Sequence, residues 1–185
     1  MKVLQKIQNK YRLFLLEKND VKIGFGKINQ RIRVWNKGYI EIGKNFSIGY
    51  YRGGGFDGRS TEFQTRDKNA ALIIGNNFQS NNGLFICCLK KITIGNDCLV
   101  GNNVTIMDHN AHGISPSRRK VTQGTPNEIV IKNNVWIRNG VTILGGTTIG
   151  DNSVVSVGSV VKGSFPSNVI IQGNPGIIVK KIEVD

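Results

Sequence analysis

The chain has 185 residues, enough for one domain with a sizeable core, and 25 Lys and Arg against 12 Asp and Glu give a net charge of +13. So basic a surface suits anionic partners, but no helix–turn–helix, zinc-finger or RNA-recognition pattern is present, which sets nucleic acid aside. Three cysteines, an odd count without a C-x-x-C pair, exclude a disulfide scaffold; they read as small buried hydrophobes in a reducing compartment. The opening segment, MKVLQKIQNKYRLFLLEKND, carries charge throughout. It offers neither a transmembrane run nor the apolar block and cleavage site of a signal peptide, and points to a cytoplasmic protein. It predicts a short amphipathic helix with Leu4, Ile7, Tyr11, Phe14 and Leu15 on one side. That side is expected to cap the end of the body or to make peripheral contact with anionic lipid. Residues 1–41 are taken together as an N-terminal extension.

From residue 42 a beat of six sets in. It is plain at Ile42 and Ile48, then at Ile74, Ser80 and Ile86, where it slips by two at Leu89-Lys90-Lys91. It returns at Ile94, Val100 and Ile106, and runs without fault through Ile131, Ile137, Ile143, Ile149, Val155 and Val161. Six fits neither a helix period nor the alternation of one strand. It fits short strands on a coil with three flat sides, one hexad per side, so that stacked coils bury the aliphatic residues in a solenoid spanning 42–164. Ile-Gly followed by Asn, Asp or Lys recurs at Ile42, Ile74, Ile94 and Ile149 and marks tight corners. Cys98 stands fifth in its hexad and should point into a corner.

Two stretches break the beat. Residues 50–72 are Gly-rich and polar, a loop or irregular early coils. Residues 108–129 hold both histidines of the protein, His109 and His112, and a loop this long inside a compact domain suggests function. After Val161, Pro166 and Pro175 end the repeat, and residues 165–185 are expected to leave the last coil as an extended strand over its open end.

Across residues 74–182 the chain resembles the hexapeptide-repeat acyltransferases, in particular sugar O-acetyltransferases of the maltose/galactoside and surface-polysaccharide type. The carriers are ITIGNDCLVGNNVTIMDHNAHGI, IVIKNNVWIRNGVTILGGTTIGDNSVVSVGSVV and FPSNVIIQGNPGIIVKKI. The resemblance implies an all-β, left-handed parallel β-helix with a short N-terminal extension and a protruding active-site loop. The handedness comes from the family, since parallel crossovers are normally right-handed.

It implies acetyl transfer to a hydroxyl from acetyl-coenzyme A, with no metal and with a loop histidine as general base. Counted from the hexad end at Ile106, His112 matches the family's base best, with His109 in reserve. Asp108 would orient an imidazole, contact the acceptor, or simply form a turn. Asn103, Asn110 and Arg118 are acceptor-side candidates, Arg118 within the run Arg118-Arg119-Lys120 that otherwise forms a solvated face. On the donor side the matching positions are Trp136, Asn139, Gly145, Gly146, Val157 and Gly158, the glycines being equally explained by corner geometry. Lys162, Lys180 and Lys181 would meet the phosphates. Ile177 stands where the family often carries a basic residue, and Arg138 replaces the usual glycine after Trp-Ile.

Members of the family are usually trimers with sites between subunits, so a homotrimer and a saccharide acceptor are expected. N-acetylation of an amino sugar, or antibiotic or serine acetylation, uses the same parts. A non-catalytic scaffold, or a γ-carbonic-anhydrase-type hydrase, shares the solenoid; the hydrase needs three histidines and this chain has two.

Overall fold

The computed structural model describes residues 2–54 and 58–183. Twenty-one short strands among these build three sheets of seven, eight and six strands. Each turn of the chain lays one strand on each sheet. The first coil is β1 (Val21–Ile23), β2 (Gly26–Ile28) and β3 (Ile32–Asn36), and the second is β4 (Tyr39–Ile42), β5 (Phe46–Ile48) and β6 (Thr61–Thr65). The third is β7 (Ala71–Ile74), β8 (Gln79–Ser80) and β9 (Phe85–Cys88); the fourth is β10 (Lys91–Ile94), β11 (Leu99–Val100) and β12 (Thr105–Met107). After the long loop come β13 (Ile129–Ile131), β14 (Trp136–Ile137) and β15 (Thr142–Leu144), then β16 (Thr148–Ile149), β17 (Val154–Val155) and β18 (Val160–Val161). The stack closes with β19 (Ser164–Phe165) and β20 (Val169–Gly173), and β21 (Gly176–Lys181) folds back on β20 as the one antiparallel partner in the three sheets.

Register explains the period of six. On one sheet Phe63, Ile86, Ile106, Ile143 and Val161 stand directly over one another, and all are buried. On the next, Ile28, Ile48, Ser80, Val100, Ile137, Val155 and Ile171 do the same. Ser80 is the polar member of that column, and its hydroxyl finds no partner. Phe46, Phe78, Cys98 and Val135 occupy the inner corner, as the fifth hexad position anticipates for Cys98. All three cysteines are free and buried.

The outer corners need a backbone that L-residues resist. Asn45, Asn77, Asp97, Asn134, Asn152 and Asn168 all have φ between 53° and 61°. Asn tolerates this left-handed region because its short amide bonds locally. Here the amides also bond from coil to coil: Asn45 to Asn77 (3.1 Å), Asn77 to Asp97 (2.8 Å), Asn134 to Asn152 (3.0 Å) and Asn152 to Asn168 (3.0 Å).

Two expectations shift, and the Gly-rich segment takes one of its two readings, an irregular early coil. The stack begins at Val21, inside the segment taken as extension, because β1–β3 pair in register with the second coil even though their hexads are degenerate. The Gly-rich segment 50–72 contributes β6 to the stack, while residues 55–57 lie outside the described residues. The tail 165–185 does not simply leave the last coil: Phe165, Ile170 and Ile171 still pair in parallel, and only β21 turns away. Residues 184–185 lie outside the described residues.

The N-terminal helix α1 (Lys2–Lys18) ends at Asp20, in the left-handed conformation with φ 55°. It does cap the first coil, but with the other side from the one expected. Leu16 is fully buried and Leu13 packs on the core. The Asn9 side chain accepts from Ile28 N (2.6 Å) and Arg12 donates to Ile28 O (3.1 Å), which satisfies a sheet edge that would otherwise lack partners. Leu4, Ile7, Tyr11 and Phe14 stay exposed. No helix among the described residues is long and apolar enough to cross a membrane.

The corner ladder yields a stability test. Replacing Asn134 by Ala keeps a Cβ in the left-handed region without the amide that makes that conformation tolerable, and removes a coil-to-coil bond, so N134A should lose about 1–2 kcal/mol in chemical denaturation. N134G, which keeps the backbone freedom, should lose clearly less.

Candidate active site

The two-residue slip in the hexads is where the site is anchored. Between β9 and β10 the chain makes a corner at Leu89-Lys90, and three successive amides there face inward. The carboxylate of Asp108, fully buried at the end of β12 one coil on, accepts all three: Leu89 N at 2.8 Å, Lys90 N at 2.8 Å and Lys91 N at 3.0 Å. Burial by itself would raise this carboxyl. Bonds from His109 and from the Lys90 and Leu89 amides outweigh it and hold Asp108 below the usual carboxylate range. Beside it, burial first and the Asp108 charge second push the Cys88 thiol far up, so Cys88 is an inert core residue.

His109 follows directly. Its Nδ1 lies 2.8 Å from Asp108 Oδ1, and both side chains are buried. Since the carboxylate is acceptor-only, Nδ1 carries a proton in either charge state, and in the neutral ring Nε2 is left as an acceptor. That Nε2 is buried with no hydrogen-bond partner. The imidazole pKa is raised from 6.5 to about 9, first by the bond to Asp108 and then by the Cys87 thiol, against the pull of burial. Cys87 is in register with Met107 and fully buried near the ring, outside hydrogen-bond geometry with Nε2; its thiol lies 3.5 Å from Gln64 Oε1.

The loop that continues from His109 is pinned at its stem. Asn127 N bonds Asp108 O (2.7 Å), Gly124 N bonds Asn110 O (3.0 Å) and Gly113 N bonds Thr122 O (2.8 Å). An ion pair between Lys90 and Glu128 (3.3 Å) adds a surface tie. A short 3-10 turn, Pro116–Arg118, forms the outer part. Against His109 lies a small cavity of about 70 Å³, bordered by Asn110, Thr125, Asn127, Gly145 and Lys162. A cavity of about 490 Å³ under the loop shares Asn110, Thr125, Asn127 and Lys162 with it and extends to Arg118. Gly145 is required here by space, since a Cβ would stand 2.4 Å from the Asp108 carbonyl oxygen.

The model of the bacterial transferase hexapeptide family (six repeats) matches residues 128–163. Over 158 residues the chain is 35% identical to WbbJ of Escherichia coli (strain K12), which carries the name of a lipopolysaccharide biosynthesis O-acetyl transferase; the match covers 79% of this chain and 74% of that relative. The chain belongs to the hexapeptide-repeat acetyltransferases. A galactoside O-acetyltransferase of Lactococcus lactis subsp. lactis (strain IL1403) is 32% identical over 153 residues, 83% of this chain and 68% of its own. Among solved structures, a galactoside acetyltransferase in complex with coenzyme A superposes with a TM-score of 0.63 at 27% identity, covering 98% of this chain and 78% of that one. The three-sided stack is therefore the left-handed parallel β-helix of these acetyltransferases.

Within this acetyltransferase the expected site residues fall into separate groups. His109, Asp108, Asn110, Gly145 and Lys162 come together, with Arg118 at the far end of the adjoining cavity. His112 does not join them: it is exposed on the loop, three residues beyond the anchored imidazole. Gly146, with φ 87°, bonds the carbonyls of Asn127 and Glu128 and serves the loop stem. Asn103 is a left-handed corner residue whose side chain accepts from Arg59 at 2.5 Å. Trp136 and Asn139 border a groove of about 300 Å³ on the sheet of β8, β11 and β14, a different side of the coil, where Arg138 stacks 5.2 Å from the Trp136 ring. Val157 and Gly158 are exposed in the turn after β17, and Lys180 and Lys181 are exposed on β21. The sequence reading missed Cys87, Asn127 and the amides of 89–91. Only the amides had a signal, the slip itself. Among the described residues no group of three His, Cys, Asp or Glu side chains gathers as a metal site.

An NMR titration checks the anchoring. The His109 imidazole should titrate near 9. In D108N, which removes the carboxylate charge, it should fall by ~1 unit or more toward the ordinary histidine value.

Proposed function

We propose that the chain transfers an acetyl group from acetyl-coenzyme A to a hydroxyl of a saccharide, with His109 as the general base and Asp108 as its positioning residue. The observation that carries this reading is the buried, unpartnered Nε2 of His109 beside a cavity, with Nδ1–H committed to a carboxylate held by three amides. Such an imidazole is short of one partner, and an acceptor hydroxyl supplies it. Coenzyme A in the galactoside acetyltransferase complex, and the O-acetyltransferase names of the relatives, support the donor and the acceptor class. WbbJ's name favours lipopolysaccharide or other surface-polysaccharide assembly, carried out in the cytoplasm where the donor is made.

Acetyl-coenzyme A supplies an acetyl group activated as a thioester. His109 Nε2 takes the hydroxyl proton as the acceptor oxygen bonds to the acetyl carbon. The carbon–sulfur bond breaks, and the imidazolium returns that proton to the departing sulfur. Asp108 keeps the ring in the right tautomer and stabilises its charged form. Lys162 borders both cavities and Arg118 the larger one, and they present cations to phosphate or to an anionic acceptor.

The separation of Trp136 and Asn139 from His109 supports a homotrimer whose sites lie between copies, one chain offering the His109 face and the next the Trp136 face.

Thiol release from acetyl-coenzyme A with a panel of saccharides tests the base. H109A should lower kcat by ~10²–10⁴ and H112A should change it by less than about threefold. Collapse in H112A alone would reverse the assignment. Because the working base is the neutral imidazole and His109 is raised to about 9, kcat/KM should climb with pH, roughly tenfold per unit, and level off near 9.

Co-expression tests the sharing. H109A and W136A, each impaired alone, should regain activity in mixed oligomers, because some sites then combine an intact His109 with an intact Trp136 from another copy. A site contained in one chain would show no recovery.

A further inference from the structure

Helix α1 turns its apolar side away from the protein. Leu4 (61%), Ile7 (60%), Tyr11 (61%) and Phe14 (54%) are exposed. At about 100° per residue these four fall within an arc of roughly 80°. The packed residues Asn9, Arg12, Leu13 and Leu16 lie on the opposite side of the helix. Exposed apolar residues are ordinary when scattered, but a stripe of four on a helix already docked by its other face is a contact surface.

The charge around it selects the occupant. Residues 1–37 hold ten Lys and Arg against two Asp and Glu, a surplus of eight out of the chain's 13. Lys6, Lys10 and Lys18 lie on the helix, all exposed. Next to Tyr11 a cavity of about 500 Å³ is bordered by Arg12, Arg31 and Arg33 together with Gln8 and Leu15, so cations surround a space beside the stripe. Phe25, 65% exposed, is a further apolar side chain at this end of the stack, in the corner between β1 and β2, the strands on which the helix packs. A second copy presenting the same face would set two such basic surfaces against each other, which opposes two-fold pairing. An apolar stripe with aromatic residues, rimmed by Lys and Arg, has the composition of a helix that lies in the plane of an anionic bilayer.

We propose that α1 is a membrane-surface anchor: Leu4, Ile7, Tyr11 and Phe14 enter the headgroup–acyl boundary of an anionic bilayer while the flanking Lys and Arg meet its phosphates. This does not depend on the acetyl-transfer reading. The helix sits on the first coil and His109 at the end of the fourth.

Flotation of the full chain with liposomes tests it, using phosphatidylcholine alone and phosphatidylcholine mixed with phosphatidylglycerol, at low and high salt. The wild type should float with the anionic vesicles only, and should be released by high salt. The doubles I7E/F14E and K6E/K10E, all at exposed positions, should each partition at least about tenfold less, with unchanged circular dichroism and unchanged oligomeric state by analytical ultracentrifugation. Absence of wild-type flotation on phosphatidylglycerol overturns the proposal. Equal binding to neutral vesicles, or flotation unaffected by either double variant, overturns it too. Loss of the oligomer in I7E/F14E would show that the stripe is covered by another copy, which also overturns it.

Discussion

Everything in this molecule hangs on one spacing. Successive coils sit one strand separation apart, about 4.8 Å, and every residue of a coil must find its counterpart directly above and below. The inner columns obey this with Ile and Val, whose branched side chains stack without gaps. The outer corners obey it with Asn, Asp and Gly, since a three-sided coil has to turn from one side to the next within a few residues. A side chain that fits the column but not the corner cannot be accommodated by local relaxation, because the neighbouring coils hold the backbone on both sides.

The candidate site uses an irregularity in that rule. Where the third coil meets the fourth, the corner is formed by Leu89 and Lys90 rather than by an Asn-Gly turn, and its amides have no corner side chain of their own kind to bond. A buried carboxylate from the coil above fills the vacancy. Once Asp108 is fixed by three amides, the next residue has little freedom, and His109 lies against Asp108 and the outward-facing Cys87. The precision of the imidazole is thus inherited from the backbone of the solenoid rather than from the loop. His112, which has no such attachment, remains in solvent.

How much of this was written in the residues can be said element by element. The coils from Ile74 onward were legible because, apart from Ser80, the slip at 89–91 and the long loop, the inward positions are aliphatic and six apart. The first coil was not, and the second only at Ile42 and Ile48, because the inward residues Ile23, Ile28, Val34, Ile42, Ile48 and Phe63 are unevenly spaced and pairing with later coils supplies what local text lacks. Helix α1 was legible as amphipathic, but the docked side is chosen by Asn9 and Arg12 bonding to Ile28, and polar contacts of that kind leave no trace in a hydrophobic stripe. In the site, the histidine loop and Asp108 stood out by type. Which imidazole is anchored did not, because it depends on amides some eighteen residues upstream that only the stacking of coils brings near. The separation of Trp136 from His109 was equally invisible, since hexad counting locates a residue on a coil without saying which faces share a ligand.

The stem of the long loop carries a consequence for how such proteins diversify. Asp108 and Asn127 are joined backbone to backbone, and the strands on either side keep their register with the coils below and above. Beyond His109, the part from Asn110 to Gln123 projects outward and touches no column. Lengthening or replacing that segment costs chain entropy that grows only slowly with length, and it leaves every buried contact of the solenoid in place. The loop can therefore change in length and sequence while the anchored imidazole and its carboxylate stay where they are. One scaffold can in this way serve many acceptors without refolding for each.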